Sequence, residues 1–205
     1  MALTILSVLL LCATSFADLS KKYSNNAMLE SGSSYKVYWT HNATSNMMYI
    51  ALEVKATGWV ALAFAKEKST SMKEYDACLG SVDGNTKVLK DYLTNGHMAP
   101  AADVTNDCVL DEAMETNGMT TLKYHRKVDT GDSNDVVIQP GEIVVVWAFR
   151  NTVKTLSQHD KRGFKMLTMI SADSSNNSGQ AVMLTSLYWK FVVASLSIAV
   201  AMFFK

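Results

Sequence analysis

MMYIALEVK, residues 47–55, alternates along its length: Met48, Ile50, Leu52 and Val54 fall on one face, and Ala51, Glu53 and Lys55 on the other. Successive side chains of an extended backbone point to opposite sides, so this pattern predicts a strand with one buried face. TTLKYHRKV, residues 120–128, repeats it with Leu122, Tyr124 and Val128 inward. GWVALAF from Gly58 and IVVVWAF from Ile143 are apolar on both faces. Those two strands are expected in the middle of a sheet, covered on each side, with Trp59 and Trp147 as core anchors. Asp83-Gly84, Asn95-Gly96, Asn117-Gly118 and Gln139-Pro140-Gly141 supply turns between the runs. Many short strands with tight turns, and no sustained helical period, predict an all-β fold: an antiparallel two-sheet sandwich of immunoglobulin-like architecture.

Outward from this middle, the two ends read differently. Ile5 to Leu11 is a short apolar run, followed by Ser15 and Ala17 at the small-residue positions of a cleavage site, so residues 1–17 read as a signal peptide. A polar lead-in covers 18–34 and the sandwich 35–170. Residues 171–180 form a polar stalk and 181–205 an apolar tail. The uninterrupted run from Phe191 to Phe204 holds about 14 residues, short of the roughly 17 to 25 of a membrane span. Small residues from Ser174 to Gly179, a spacer to Lys190 and this tail have the layout of a GPI-anchor signal, with attachment at Asn177, Ser178 or Gly179. The competing reading is a tilted C-terminal span with a snorkelling Lys190. Either way the protein is expected in the secretory pathway, extracellular and tethered to a membrane.

Trimming the signal peptide removes Cys12 and leaves Cys78 and Cys108. In an oxidising compartment an even pair in one domain is most simply a disulfide, with a metal-binding thiol pair as the minor alternative. Secretion also makes Asn42, in Asn-Ala-Thr, a glycosylation acceptor. The 205 residues carry 19 basic and 19 acidic side chains and no long Lys/Arg block, which excludes nucleic acid as a partner. Neither G-x-S-x-G, H-E-x-x-H nor a glycine-rich phosphate loop occurs, so no hydrolase or nucleotide chemistry is expected. Asp129, Asp132, Asn134 and Asp135 lack the glycine and bidentate glutamate of a calcium loop and read as a solvated turn.

The order of the blocks GWVALAF (from Gly58), MKEYDACLGSVDG (Met72), KDYLTNGHMAPAAD (Lys90), TTLKYHRKVDTGDSND (Thr120), VVVWAF (Val144) and QHDKRG (Gln158) resembles the DOMON family, secreted sandwiches named for a region of dopamine β-monooxygenase. The resemblance covers only a non-catalytic module, since the histidine-rich motifs of copper monooxygenase domains are missing, and implies that the chain is not an enzyme. In haem-bearing relatives the iron sits between a Met after the GW strand and a late His. The resemblance therefore implies Met72, in M-x-x-x-D with Asp76, and His159 as axial ligands of haem b. Lys154, Lys161 and Arg162 lie close in sequence to His159 and could pair with the haem propionates. A redox partner would follow. Relatives without haem imply the other reading, a cofactor-free carbohydrate-binding or adhesion module whose partner is a sugar or receptor. His97 in a turn and His125 on the solvent face are weak metal candidates.

Overall fold

A computed structural model describes residues 18–172. After a one-turn helix α1 (Leu19–Lys22) come eleven strands in chain order: β1 (Asn25–Met28), β2 (Tyr35–Asn42), β3 (Met47–Val54), β4 (Val60–Ala65), β5 (Lys73–Asp83), β6 (Thr86–Asn95), β7 (Ala101–Ala102), β8 (Val109–Thr116), β9 (Met119–Lys127), β10 (Gly141–Phe149) and β11 (Lys161–Ile170). A five-stranded sheet runs β1-β2-β3-β9-β8, and a six-stranded sheet runs β11-β10-β4-β5-β6-β7. Every pairing is antiparallel. Residues 18–34, expected as a lead-in, thus carry α1 and an edge strand.

The alternation that predicts β3 is realised. Met48, Ile50, Leu52 and Val54 are fully buried, and they meet Leu122 and Tyr124 of β9 and Val60, Leu62 and Phe64 of β4 in the core between the sheets. Trp147 and Phe149 of β10 stack there beside Tyr35. Polar groups that enter the core bridge the layers: Tyr35 Oη donates to Ala61 O (2.8 Å) and Trp39 Nε1 to Met169 O (3.1 Å). Cys78 of β5 is bonded to Cys108, which leads into β8, with Cα atoms 5.8 Å apart. The expected disulfide is present, and it ties one sheet to the other.

Each sheet also has an outer face, and the two are covered differently. On the five-stranded sheet Leu19 and Tyr23 of the α1 segment close over Tyr38 and Ala51. This is why Ala51 is buried although it faces away from the core. On the six-stranded sheet Ala63, Ala65, Tyr75, Ala77 and Val144 form a second apolar cluster, flanked by Met72, Tyr92, Val146 and Met166. Both faces of β4 are therefore buried, as its unbroken apolar sequence requires. The cover over this second face is made of loops.

Candidate functional site

Strand register defines a small-residue floor on the outer face of the six-stranded sheet. Ala61 pairs with Leu79 on one side and Ala148 on the other, and Ala148 pairs with Arg162. One row further along, Ala63 lies between Ala77 and Val146, and Val146 pairs with Phe164. Alanines here keep the sheet surface low, and the loops standing above it enclose a cleft of about 610 Å³. Met72, His97, Met98, Trp59, His159 and Arg162 all line it. That volume lies in the range of small-molecule and cofactor sites, roughly 300 to 1,000 Å³, and the lining is predominantly apolar with few polar groups.

One wall comes from the segments before β5 and after β6. The β5–β6 register slips between Lys73 and Asp76, and this bulge carries Glu74 at φ 57°, two residues after Met72 at φ 54°. A left-handed backbone at a non-glycine residue is costly, and a bulge re-aims the side chains around it. Three contacts hold the distortion. Met72 O accepts from Gly96 N–H (2.7 Å), Tyr75 N–H donates to Thr94 Oγ1 (2.9 Å), and the Tyr75 hydroxyl donates to Ser69 O. Met72 is thereby presented, half-buried, to the cleft.

The opposite wall is the β10–β11 connection. Asp160 closes it: one carboxylate oxygen accepts from Arg150 Nη1 (2.7 Å) and the other from Asn151 N–H (2.7 Å). Thr57 and Gly58 N–H both donate to Asn151 O, and Trp59 N–H donates to Val153 O. Gly58 is required by this approach, since a Cβ there would lie 2.5 Å from Arg150 O. The GW pair therefore seats the loop that carries His159, and Trp59 lines the cleft. Trp59 is buried, as expected, but it packs outside the inter-sheet cluster that holds Trp147, and both tryptophans line the cleft.

Met72 and His159 thus reach one cleft from the two ends of the sheet. Burial, and then the positive charge of Arg162, lower the His159 pKa, which keeps its imidazole neutral at physiological pH and available as a metal ligand. Of the three basic residues expected near a propionate, Arg162 alone lines the cleft. Lys154 Nζ is held by Val82 O and Glu115 (3.0 Å), and Lys161 reaches Glu30 (3.3 Å). His97 is more than a turn residue: its Nε2 lies 2.7 Å from Thr70 O and its ring borders the cleft. His125 instead pairs with Asp111 (2.8 Å) on the outer face of the other sheet.

Sequence reasoning missed a buried charge network behind the floor. Arg126, 1% exposed, sits at the inward position between Tyr124 and Val128 and donates to Asp76 (2.7 Å) and Asp135 (3.2 Å). Asp91 completes a set whose carboxylate oxygens lie within 4.8 Å of one another. Desolvation, then the charges of Asp76 and Asp135, push the Asp91 pKa up to about 7, and desolvation lifts Asp135 to about 6. Asp135 is therefore part of the interior and not of a solvated turn. Asp76 Oδ2 also accepts from Val136 N–H (2.8 Å), so the aspartate after Met72 ties β5 to the segment following β9.

Asn42 ends β2 in an exposed hairpin, with Oδ1 accepting from Thr44 and Ser45 N–H (3.0 and 3.2 Å). Asn177, Ser178, Gly179 and the apolar tail, like the signal peptide, lie outside the described residues. Among the described residues no helix is long and apolar enough to cross a membrane.

Comparison with known proteins places this architecture. The sequence model of the DOMON domain matches residues 31–150. DBH-like monooxygenase protein 1 of Mus musculus is 28% identical over 171 residues, covering 82% of this chain and 27% of the relative. MOXD1 homolog 1 of Drosophila melanogaster is 27% identical over 168 residues, covering 77% and 24%. The chain spans about a quarter of the length of these relatives. Among solved structures, the cytochrome b domain of pyranose dehydrogenase from Coprinopsis cinerea aligns with TM-score 0.53 at 15% identity, over 66% of this chain and 76% of that one. The cytochrome domain of Myriococcum thermophilum cellobiose dehydrogenase aligns with TM-score 0.54 at 12% identity, over 70% and 80%. At these identities the two structures establish the shared fold.

Proposed function

The chain belongs to the DOMON-domain family, and from that membership together with the cleft we propose that it is an extracellular, membrane-tethered module that binds b-type haem for one-electron transfer and is not itself an enzyme. The observation that carries this reading is the convergence of Met72 and His159 on one apolar cleft over a floor of alanines. The names of the two solved neighbours, both cytochrome domains, support it.

The residues fit such a group by their chemistry. A flat macrocycle needs an apolar slot with little side-chain relief below it, which Ala61, Ala63, Ala77 and Ala148 supply. Met72 and His159 would hold the iron through a thioether and an imidazole, and haem held this way would supply a one-electron couple whose potential such a Met/His pair raises. The neutral His159 offers its lone pair without first losing a proton.

The test is an absorption spectrum of the protein made in a secretory host with haem present. A sharp Soret band with resolved α and β bands on reduction is expected. Met72→Ala should remove one of the two ligands and lower the potential, while His159→Ala should release haem or hold it weakly. Neither residue belongs to the core between the sheets, so both variants should fold. A folded, colourless protein after haem reconstitution would replace this reading with a cofactor-free sugar-binding or adhesion module. The exposed rim formed by Met98, Leu156 and Phe164 suits that alternative.

A further inference from the structure

The cleft floor has a second side. Ala77 and Tyr92, which pair across β5 and β6, line the cleft, while Asp76 and Asp91, the residues just before them, are buried. Adjacent side chains of a strand point to opposite faces, so the two carboxylates lie one sheet layer behind whatever occupies the cleft, about 10 Å from its centre. Asp91 stands across from Cys78 and Asp76 precedes Cys78 by two residues, which makes the two acids diagonal neighbours on one face.

Hydrogen bonding separates these acids. Asp76 Oδ2 accepts from Arg126 Nη1 and Val136 N–H, and Asp135 Oδ2 accepts from Arg126 Nη2. Arg126 thereby serves Asp76 and Asp135, and the Asp91 carboxylate is reached instead by the backbone N–H of Asp107. Asp76 Oδ1 and Asp91 Oδ2 are left buried with no donor among the described residues. An ionised carboxylate can only accept, and one oxygen of each acid lies within 4.8 Å of the other. A single proton on Asp91 gives the pair the donor it lacks and removes one of three negative charges set against one guanidinium. Tyr124 of β9, Asp135 and Asp107 also face this place, and none of them adds a positive charge. Burial, and then the charges of Asp76 and Asp135, hold the Asp91 pKa at about 7, so the proton exchanges in the neutral range.

We propose that Asp91, paired with Asp76, is a proton site linked to the cleft: when the occupant of the cleft gains negative charge, Asp91 takes up a proton from water. Resting on the haem reading above, that charge is an electron delivered by a one-electron donor. The electron lowers the charge of the iron by one, the Asp91 carboxylate becomes the acid, and no other bond changes. A unit charge about 10 Å away shifts a partly buried proton equilibrium about tenfold, and protonation shifts the electron equilibrium by the same factor in return.

Potentiometric titration of the haem-loaded protein tests this, with the full sequence expressed in a secretory host and chelator in the buffer. The midpoint potential should fall as pH rises, by the equivalent of about a tenfold change in the electron equilibrium, with most of the fall between about pH 6 and 8. Asp91→Asn should remove that fall and leave the haem spectrum unchanged. Infrared difference spectra give a second reading: a protonated-carboxyl band should rise on reduction of the parent protein and be missing from Asp91→Asn. If Asp91→Asn fails to fold, Asp135→Asn decides, since removing one facing charge should move the fall to lower pH. A fall that is unchanged in either variant, or reduction without a new carboxyl band, would overturn the proton site and leave the haem reading intact. A folded protein that takes up no haem would overturn both.

Discussion

Arg126 stands where strand alternation points inward, so it carries a full charge into the core and needs the carboxylates it finds there. With Asp76, Asp91 and Asp135 all ionised, three negative charges would face one positive charge, and burial makes the surplus expensive. Asp91 relieves it by holding a proton more readily than an ordinary carboxyl. The sign of the pH effect follows. Because the folded pKa, about 7, lies above the unfolded value of 3.8, the contribution is complete below about pH 4 and is lost as pH rises through 7. Asp135, at about 6, acts in the same direction. Asp91→Asn mimics the protonated form and should therefore gain stability relative to the parent protein between pH 5 and pH 8. Urea midpoints in chelator-containing buffer at the two values test this, and parallel curves for the two proteins would refute it.

At the scale of elements, the disulfide joins β5 of one sheet to the start of β8 of the other, and it does so beside the charge network. Cys78 pairs in register with Asp91. Asp91 is also held through its backbone, by Asn106 Oδ1 (2.8 Å) and by Asp103 N–H (2.9 Å). The connection from β7 to β8 is thus fastened at several points to the strand behind the cleft floor. Replacing Cys78 and Cys108 together by Ala should cost about 2 to 5 kcal/mol. Because the floor is carried by β4, β5 and β10 and not by this connection, the proposed haem binding predicts that the folded fraction of the variant keeps the same haem spectrum as the parent at low temperature. Denaturant unfolding and the spectrum measure the two effects separately. A second element feature is the bulge in β5, which places Met72 toward the cleft and Asp76 toward the core.

For the whole molecule, the functional question is where the sandwich is held. The cleft opens on the outer face of one sheet, and the chain leaves the sandwich after β11, an edge strand of that same sheet. We propose GPI attachment near Asn177, Ser178 or Gly179, on the sequence layout of small residues, spacer and short apolar tail. Phosphatidylinositol-specific phospholipase C should then release the protein from intact cells. Retention after treatment, with the tail peptide detected by mass spectrometry, would show a transmembrane tether instead.

The sequence by itself determined the fold class, the family and the inward faces of β3 and β9, because alternation and turn residues are local properties that survive without a partner strand. It also brought forward Met72, His159 and the cysteine pair. The same alternation places residue 126 inward, so Arg126 was legible as a conflict between pattern and charge, and resolving that conflict required knowing which acids lie across the core. Only the tertiary structure decided that Asp135 joins Asp76 and Asp91, that Lys154 and Lys161 point elsewhere, and that Trp59 and His97 border the cleft. These facts depend on strand register and on loops crossing one another, and sequence spacing carries no record of either. Cross-sheet distances set which groups find a partner: they hand Lys154 to Glu115 and Lys161 to Glu30, and among the described residues they leave the buried Trp59 indole N–H without an acceptor.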